Sequence, residues 1–556
     1  MYTIIFKIEG SADVKAFAEA GKNLLELAQE AGVSIDAPCS GNGTCGKCRV
    51  RIVSGAVEME KNPRLSDEDY RDSWRLACQC SVVGDATIWV PASASAFKND
   101  IQTADLSTPE ELARYEEAIK DIFDAGIKKG CSEKGVGIGI DIGTTTVTAA
   151  MLDLENGNVL SKASLGNGQI RYGADVINRI MAQSKEGGVE KLRHAVREET
   201  VIPIVESLIK DSGRPEEDIT RYVIAGNTTM EHLFLGVDAQ SIRLEPFVPA
   251  FLEREGDTAA SCGLPGRKDA RVIFAPNVGS YVGGDITAGV LDSMLWNSDE
   301  MSLFIDLGTN GEIVYGNREY MLCCACSAGP AFEGGDISCG MRATRGAIDT
   351  FEIDDGTFEP HYTVIGNKKP LGLCGSGLIS IISELFRTGA INAKGKFIGH
   401  SPRIRYDEYG LGSYCFAYEE ESGTGKEISI NESDLDNFIH AKGAIFSAIR
   451  TMLNSLDMTV EHIDKIIIAG GIGSGIDIPK AISIGMLPKA PLEKYSYIGN
   501  SSLTGACAML LSDEAAQKVT DIGHNMTYIE LSTEPKYMDE LIAACFLPHT
   551  DSTLFE

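Results

Sequence analysis

The first 90 residues alternate apolar and polar positions in short runs. Residues 2–8 read YTIIFKI, which predicts a strand, and the leucines of residues 24–28 have the spacing of a short helix. Further short strands are predicted around residues 48–53 and 86–90. These elements predict a small, separate domain over residues 1–94.

The pattern changes after this domain. Residues 91–107 are small, polar and aperiodic, which predicts a linker. A charged helix is then predicted from a cap at Thr108 to about Lys129. Beyond it, strands, glycine-rich turns and helices alternate to the end of the chain, as is typical of an α/β architecture. We therefore predict a linker with a helix over residues 95–134 and an α/β domain over residues 135–556.

One motif occurs twice within the predicted α/β domain. Ile-Asp-Ile-Gly-Thr around Asp141 and Ile-Asp-Leu-Gly-Thr around Asp306 each follow an apolar run, and the two aspartates are 165 residues apart. This separation is too long for a solenoid repeat. It suits two duplicated α/β halves that face a cleft.

Composition narrows the function classes. The formal net charge of −30 disfavours broad contact with nucleic acid or an anionic membrane. No segment approaches the ~20 apolar residues of a membrane span, and the N-terminus lacks the pattern of a signal peptide. The 15 cysteines are scattered and odd in number, which suits a reducing cytoplasm better than a disulfide framework. We predict a cytoplasmic protein that binds neither nucleic acid nor membrane.

Four cysteines have a spacing that suggests a metal site. Cys39, Cys45 and Cys48 lie in one loop, and Cys78 follows after 29 further residues. The stretch Ser-Gly-Asn-Gly-Thr between the first two lets a loop wrap around a cluster with its N–H groups toward the sulfurs. Structural zinc also uses four cysteines, but usually as two short pairs. The spacing therefore favours an iron–sulfur cluster over zinc.

Three glycine-rich turns predict a nucleotide site. After Asp141 and Asp306, a glycine permits a tight turn whose N–H groups and hydroxyls can face phosphate, while the aspartate holds Mg²⁺ through water. The third turn follows the apolar run 466–469, where glycines let the backbone lie against a base or ribose. The chain has no GxxxxGK[ST] motif, which excludes a P-loop, and no convincing dinucleotide fingerprint.

The N-terminal region resembles the plant- and adrenodoxin-type [2Fe–2S] ferredoxins. The matching stretches are Ala-Pro-Cys-Ser-Gly-Asn-Gly-Thr-Cys-Gly-Lys-Cys, which ends at Cys48, and Arg-Leu-Ala-Cys-Gln around Cys78. The resemblance implies a β-grasp fold and a one-electron carrier with Cys39, Cys45, Cys48 and Cys78 as cluster ligands. Cys80 is the alternative to Cys78, although the Leu-Ala-Cys-Gln context favours Cys78.

The ordered set of three turns resembles the acetate and sugar kinase/Hsp70/actin superfamily. Together with the ferredoxin-like region it looks like the reductive activators of corrinoid proteins, with further matches at residues 225–230, 283–285, 327–336 and 374–377. The resemblance implies two ribonuclease H-like halves that bind ATP and Mg²⁺. It also implies that ATP hydrolysis drives one electron from the [2Fe–2S] cluster onto Co(II) of a corrinoid, which restores the Co(I) needed for methyl transfer.

The resemblance carries residue roles with it. Asp141, Asp306 and Asp285 are the predicted catalytic residues; Asp285 and Asp336 could bind Mg²⁺ or position water, or could simply cap helices. The predicted nucleotide-binding residues are Gly143, Thr144, Thr145, Thr146, Gly308, Thr309, Asn310, Gly311, Glu312, Gly334, Gly335, Gly470, Gly471, Gly473 and Ser474. A second cysteine group is predicted to be buried along the cleft rather than to bind metal; its members are Cys323, Cys324, Cys326 and Cys339.

The implied partners are a corrinoid protein of a methyltransferase system and an upstream electron donor such as a ferredoxin, a flavodoxin or a reductase. The sequence leaves the oligomeric state open, with a homodimer as one arrangement. Two other functions stay open on the residues alone. One is an ATP-driven electron donor to a different low-potential acceptor enzyme. The other is a small-molecule kinase with a redox-sensing ferredoxin module, in which Asp285 is the base.

Overall fold

The computed structural model describes residues 1–33, 35, 37, 41, 43, 46–91, 94, 109–471 and 475–556, and only the backbone of residues 109–111. Most of the predicted linker and two of the predicted cluster cysteines, Cys39 and Cys45, lie outside the described residues. Gly473 and Ser474 of the third glycine-rich turn also lie outside them.

The N-terminal unit is a five-stranded sheet with a covering helix. Its elements are β1 (Tyr2–Ile8), β2 (Val14–Ala18), α1 (Leu24–Glu30), β3 (Arg49–Glu58), α2 (Asp67–Arg71), β4 (Trp74–Leu76) and β5 (Ser81–Val90). The strand order is β2-β1-β5-β3-β4, with β1 and β5 parallel. Ile4 and Phe6 alternate with more exposed residues, so both enter the same core as Leu24 of α1. The first strand and the helix that the sequence predicts are confirmed.

The linker helix α3 (Pro109–Asp124) is shorter than the sequence pattern predicts. Gly126 adopts a left-handed backbone with φ of 106°, which ends the helix before Lys129. Ile119 and Ile122 of α3 are buried in a core of the α/β domain. Tyr115 adds a hydroxyl anchor, because it donates to the Leu503 carbonyl oxygen at 3.3 Å. The helix is therefore docked, whereas the sequence treats it only as part of a linker.

The first half of the α/β domain, called here the first lobe, covers residues 136–298. Its elements are β6 (Val136–Ile142), β7 (Thr146–Asp153), β8 (Val159–Gly166), α4 (Val176–Gln183), α5 (Gly188–Val196), α6 (Ile202–Ser212), β9 (Ile219–Gly226), α7 (Thr228–Leu235), α8 (Gln240–Arg243), α9 (Ala259–Cys262), β10 (Arg271–Phe274) and α10 (Gly284–Ser293). The sheet order is β10-β9-β6-β7-β8. Strands β6, β7 and β8 are antiparallel neighbours, while β9 and β10 run parallel to β6.

The second half, the second lobe, covers residues 300–556. Its elements are β11 (Ser302–Leu307), β12 (Gly311–Gly316), β13 (Met321–Cys326), β14 (Ala347–Ile353), β15 (Pro360–Val364), β16 (Gly372–Leu373), α11 (Gly375–Arg387), β17 (Ile404–Tyr406), β18 (Gly412–Ala417), β19 (Ile428–Asn431), α12 (Glu432–Ser455), β20 (Lys465–Ala469), α13 (Ile478–Ser483), β21 (Tyr495–Gly499), α14 (Ser501–Leu511), α15 (Asp513–Asn525), β22 (Met526–Tyr528) and α16 (Tyr537–Ala544). The main sheet has the order β21-β20-β11-β12-β13-β22, and two small sheets, β15-β14-β16 and β17-β18-β19, accompany it. Among the described residues, no helix has the length and apolar character to cross a membrane.

The two lobes repeat one topology. In the first lobe Asp141 pairs with Thr148 on the hairpin side and with Ala225 on the parallel side. In the second lobe Asp306 pairs in the same way with Glu312 and Ala469. The duplication that the repeated motif predicts is confirmed, and it places each aspartate at the carboxyl end of the central strand of its lobe.

Helices α10 and α14 cross with their backbones in contact. A Cβ atom at Gly505 would lie 2.1 Å from the carbonyl oxygen of Ala288, and one at Gly289 would lie 2.8 Å from Ser501 Oγ. Only glycine allows so close an approach at these two positions. Since α10 belongs to the first lobe and α14 to the second, their crossing joins the two lobes directly behind the cleft.

Candidate nucleotide cleft and iron–sulfur site

The carboxyl ends of β6 and β11 open into a cleft of about 250 Å³ between the two lobes. Thr145 Oγ1 from the first lobe and Thr309 Oγ1 from the second are 2.8 Å apart, so the two turns that are predicted to bind phosphate meet across the cleft. Thirteen sequence-predicted residues line it: Asp141, Gly143, Thr144, Thr145, Thr146, Asp285, Asp306, Gly308, Thr309, Asn310, Glu312, Gly470 and Gly471. The structure thus brings most of the predicted nucleotide site together.

Three predicted glycines do not line the cleft. Gly311 begins β12 and faces the second-lobe core, since a Cβ there would lie 2.7 Å from Cys326 Sγ. Gly334 packs against the backbone of Met341, and Gly335 packs against the ring of Pro330. Asp336 is also absent from the lining residues. The matching stretch 327–336 therefore marks the right turn, but Glu333 is its one residue that lines the cleft.

Several lining residues were not predicted. Asn227 donates from Nδ2 to Thr144 Oγ1 at 3.0 Å, and Glu333 accepts from Thr309 Oγ1 at 3.0 Å. Both residues lie inside stretches that match the family pattern, 225–230 and 327–336, so the sequence contains a pattern that could have identified them. Asn500 and Ser502 follow a short strand without any glycine motif, and the sequence gives no sign of their role.

Asn500 and Ser502 hold the first-lobe aspartate. Asn500 Nδ2 donates to Asp141 Oδ2 and Ser502 Oγ donates to Asp141 Oδ1, each at 2.9 Å. Both residues lie at the N-terminus of α14 in the second lobe. Helix α14 itself packs against β6 and β9 of the first-lobe sheet, so any movement of α14 relative to that sheet changes the surroundings of the Asp141 carboxylate.

The cleft concentrates carboxyl groups away from solvent. Burial raises the pKa of Asp141 to about 6, although the bonds from Asn500 and Ser502 oppose this shift. Burial, and then the charge of Asp141, raises the pKa of Asp306 to about 7. The pKa values of Asp285 and Glu312 are raised well above the usual range, first by burial and then by neighbouring carboxylates. Such a cluster favours a cation, because positive charge removes the repulsion between ionised groups.

Asp285 occupies the first turn of α10. Its Oδ1 accepts the backbone N–H of Ile286 at 2.9 Å, while the carboxyl group also lines the cleft. Among the described residues, no three His, Cys, Asp or Glu side chains are close enough to bind a metal directly. A cation in this cleft would therefore be held through water and through ligand oxygens.

The described part of the cysteine loop is built around Cys48 and Cys78. Their residues are 1% and 6% exposed, and both belong to the N-terminal core. Gln79 Nε2 donates to the Gly41 carbonyl oxygen at 2.7 Å and lies 3.7 Å from Cys78 Sγ, in N–H···S contact. Asn23 Nδ2 donates to the Cys78 carbonyl oxygen at 2.8 Å. These bonds tie the two cysteine-bearing segments together and give Cys78 a donor that stabilises thiolate charge.

In the second cysteine group, Cys323, Cys324 and Cys326 are buried and Cys339 is partly buried, and none of the four lines the cleft. Cys323 and Cys324 on β13 point into different cores, as the alternation of a strand requires. Burial raises the pKa of the thiols of Cys324 and Cys339 well above the usual range. The prediction of burial agrees with the structure, whereas the prediction that this group lies along the cleft was wrong.

Comparison with known proteins assigns all three regions. Residues 6–83 match the "2Fe-2S iron-sulfur cluster binding domain", residues 136–298 match the "RACo middle region", and residues 300–556 match the "C-terminal domain of RACo the ASKHA domain". The fold and the matches define an ASKHA-type α/β protein that carries a [2Fe–2S] ferredoxin domain.

Related proteins specify the family. A "Corrinoid activation enzyme RamQ" from Eubacterium limosum is 35% identical over 412 residues, which cover 72% of this chain and 69% of the relative. A "[Co(II) methylated amine-specific corrinoid protein] reductase" from Methanosarcina barkeri is 24% identical over 70% of this chain and 73% of the relative. A solved "Reductive activator for corrinoid,iron-sulfur protein" is 38% identical, matches 100% of both chains and has a TM-score of 0.71. The chain belongs to the RACo family of reductive activators of corrinoid proteins.

The bond from Ser502 to Asp141 gives a direct test of the cleft. The Ser502→Ala variant is expected to lower kcat/KM for ATP hydrolysis about tenfold, because a hydrogen bond to a charged group contributes roughly 1.5 kcal/mol or more. The matched control is Ser501→Ala on the same helix, whose buried hydroxyl has no hydrogen-bond partner among the described residues. Steady-state phosphate release measures both variants. Equal losses in the two would contradict a specific role for Ser502.

Proposed function

We propose that this protein uses ATP hydrolysis to transfer one electron from a [2Fe–2S] cluster to Co(II) of a corrinoid protein, which returns the corrinoid to Co(I). The observation that carries the proposal is the presence, in one chain, of a ferredoxin-type cysteine unit and a two-lobed cleft with an aspartate at each central strand. The full-length similarity to a reductive activator for a corrinoid,iron-sulfur protein supports the corrinoid as acceptor.

In this proposal the two lobes clamp ATP. The turns after Asp141 and Asp306 would hold the phosphates through backbone N–H groups and threonine hydroxyls, and Gly470 and Gly471 would lie against the ribose or base. The two aspartates would hold Mg²⁺ through water, and the metal would neutralise phosphate charge when bound. Asp285, which lines the cleft from the first turn of α10, would position the attacking water and accept its proton once a bound cation favours its ionised form.

In the same proposal Cys39, Cys45, Cys48 and Cys78 would hold the cluster, which supplies the one-electron redox chemistry when bound. The N–H···S contact of Gln79 and the buried thiols fit a cluster at this position. The ferredoxin unit would occupy residues 1–94, the linker with its helix residues 95–134, and the nucleotide-binding domain residues 135–556.

In this proposal ATP is needed because Co(II) of a corrinoid is harder to reduce than a typical ferredoxin cluster is to oxidise, so electron transfer alone would be unfavourable. A shift of the transfer equilibrium by ~10⁴ requires about 5.5 kcal/mol of differential binding. For one electron this corresponds to roughly 240 mV, at about 59 mV per tenfold change. Nucleotide-dependent binding of the corrinoid protein would provide such a difference if it favours a cobalt environment that is easier to reduce.

The proposed partners are a corrinoid protein of a methyltransferase system and an upstream donor such as a ferredoxin, a flavodoxin or a reductase. A reducing cytoplasm is the proposed compartment, because no disulfide joins any of the described cysteines.

The proposal is tested by mixing purified protein, a chemical reductant and a candidate Co(II) corrinoid protein. Co(I) is followed by absorbance with ATP, without nucleotide and with a non-hydrolysable analogue. We expect Co(I) to accumulate only with ATP. Equal reduction under all three conditions would overturn the proposed coupling.

A further inference from the structure

The ferredoxin unit contacts the first lobe through helix α1. Gln29 Nε2 donates to the carbonyl oxygen of Arg171 at 3.2 Å. Glu26 Oε1 lies 3.4 Å from the Nζ atom of Lys185, which forms an ion pair between the two units. Both contacts come from a single face of α1, since the residues are three positions apart.

The ferredoxin unit contacts the second lobe through its cysteine loop. Lys47 Nζ donates to the carbonyl oxygen of Ile337 at 3.3 Å. The Lys47 charge also counters the burial that raises the pKa of Asp434, which places the ammonium group near the N-terminus of α12. Lys47 directly precedes Cys48, so this part of the cysteine loop faces the second lobe.

In each lobe, the segment that contacts the ferredoxin unit is close in sequence to a residue that is hydrogen-bonded to a turn of the nucleotide cleft. In the first lobe, Arg171 follows Asn167, whose Nδ2 donates to the Gly143 carbonyl oxygen at 2.9 Å and whose backbone N–H donates to the Thr145 carbonyl oxygen at 2.9 Å. In the second lobe, Ile337 follows Glu333, which accepts from Thr309. The ferredoxin unit therefore touches both lobes, each a few residues from a turn that lines the cleft.

We propose that the ferredoxin unit docks across the two lobes as the resting state of the protein, and that nucleotide-driven movement of one lobe against the other releases it. A ferredoxin unit that contacts both lobes cannot keep both contacts when one lobe moves relative to the other. Among the described residues, the polar contacts named above are two hydrogen bonds and one exposed ion pair, which suits a reversible docked state. Release moves the part of the cysteine loop at Lys47 and Cys48 away from the second lobe, so that it can face the corrinoid protein. This inference rests on the proposed function, in which the ferredoxin unit must reach a separate corrinoid protein.

Zero-length cross-linking tests the docked state in the full-length protein. A carbodiimide joins a carboxylate to a lysine amine in direct contact, so Glu26 and Lys185 should be linked in the nucleotide-free protein. Lys465 and Glu300 lie 2.5 Å apart within the second lobe and provide an internal reference that shares no residue with the docking contact. With saturating ATP and Mg²⁺, we expect the Glu26–Lys185 product to fall at least threefold relative to the Lys465–Glu300 product, as measured by peptide mass spectrometry.

A charge reversal tests the consequence of docking. The Lys185→Glu variant should lose the cross-link and should raise the rate at which ferricyanide oxidises the reduced cluster at least threefold without nucleotide. Lys191→Glu reverses a charge in α5 that forms no ion pair among the described residues, and it should leave this rate unchanged.

The docking proposal is overturned if Lys465–Glu300 cross-links form and Glu26–Lys185 cross-links do not, or if ATP leaves their ratio unchanged. It is also overturned if Lys185→Glu and Lys191→Glu oxidise at the same rate. Because these measurements need no corrinoid protein, their failure would leave the proposed function standing. Loss of ATP-dependent Co(I) formation would instead overturn the proposed function.

Discussion

Asp306→Asn is expected to reduce ATP hydrolysis at least about 100-fold, because in the proposed mechanism this carboxylate holds the Mg²⁺ that neutralises developing phosphate charge. The same substitution is expected to stabilise the nucleotide-free protein at neutral and alkaline pH. Burial raises the pKa of Asp306 from 3.8 to about 7, so ionisation of this carboxyl group in the folded state is costly. The protonated Asp306 carboxyl group stabilises the folded state fully below about pH 4, and this stabilisation is lost as the pH rises through 7.

The Tm difference between Asp306→Asn and the parent protein should therefore grow from pH 5.5 to 8.5 and reach roughly 1–3 °C, because each pKa unit corresponds to about 1.36 kcal/mol. The control is Asp299→Asn, an exposed carboxylate before the same strand, which should change neither Tm nor hydrolysis appreciably. If the Tm difference between Asp306→Asn and the parent protein did not change with pH, this would contradict a raised pKa for the buried Asp306 carboxyl group.

Cys78→Ala is expected to abolish electron transfer to the corrinoid protein while leaving basal ATP hydrolysis within about twofold. With the proposed set of four ligands, loss of the Cys78 thiolate removes the cluster, but the N-terminal core is separate from the cores that build the cleft. Iron content and visible absorbance report the cluster, and phosphate release reports the ATPase.

Cys80→Ala provides the matched control, since Cys80 is buried two residues away and is the alternative ligand on sequence grounds. It should retain iron and the visible spectrum. A cluster that survives Cys78→Ala but not Cys80→Ala would reassign the fourth ligand.

The sequence predicts local features of this protein well. The repeated Asp-x-Gly-Thr motif predicts two lobes and places an aspartate at each central strand, because a strand and its following turn are determined by adjacent residues. The same motif identifies the turns that carry Thr145 and Thr309, which meet in the cleft.

Features that depend on distant contacts were not predicted. Asn500 and Ser502 are 359 and 361 residues away from Asp141 along the chain, and no local pattern marks them as its partners. The contact of Lys47 with Ile337 spans 290 residues and likewise depends on how two separately folded units meet. The early end of α3 at Asp124 was missed for a different reason: the charged helical pattern continues, but Gly126 interrupts it.

The most direct test of the central claim is a single-turnover electron count. Protein with a reduced cluster is freed of external reductant and mixed with a Co(II) corrinoid protein, and cluster oxidation and Co(I) formation are followed together by absorbance. With ATP, we expect one Co(I) to form for each cluster oxidised, at matching rates, and without ATP we expect neither change. Co(I) formation that proceeds equally without ATP, or without oxidation of the cluster, would contradict the central claim.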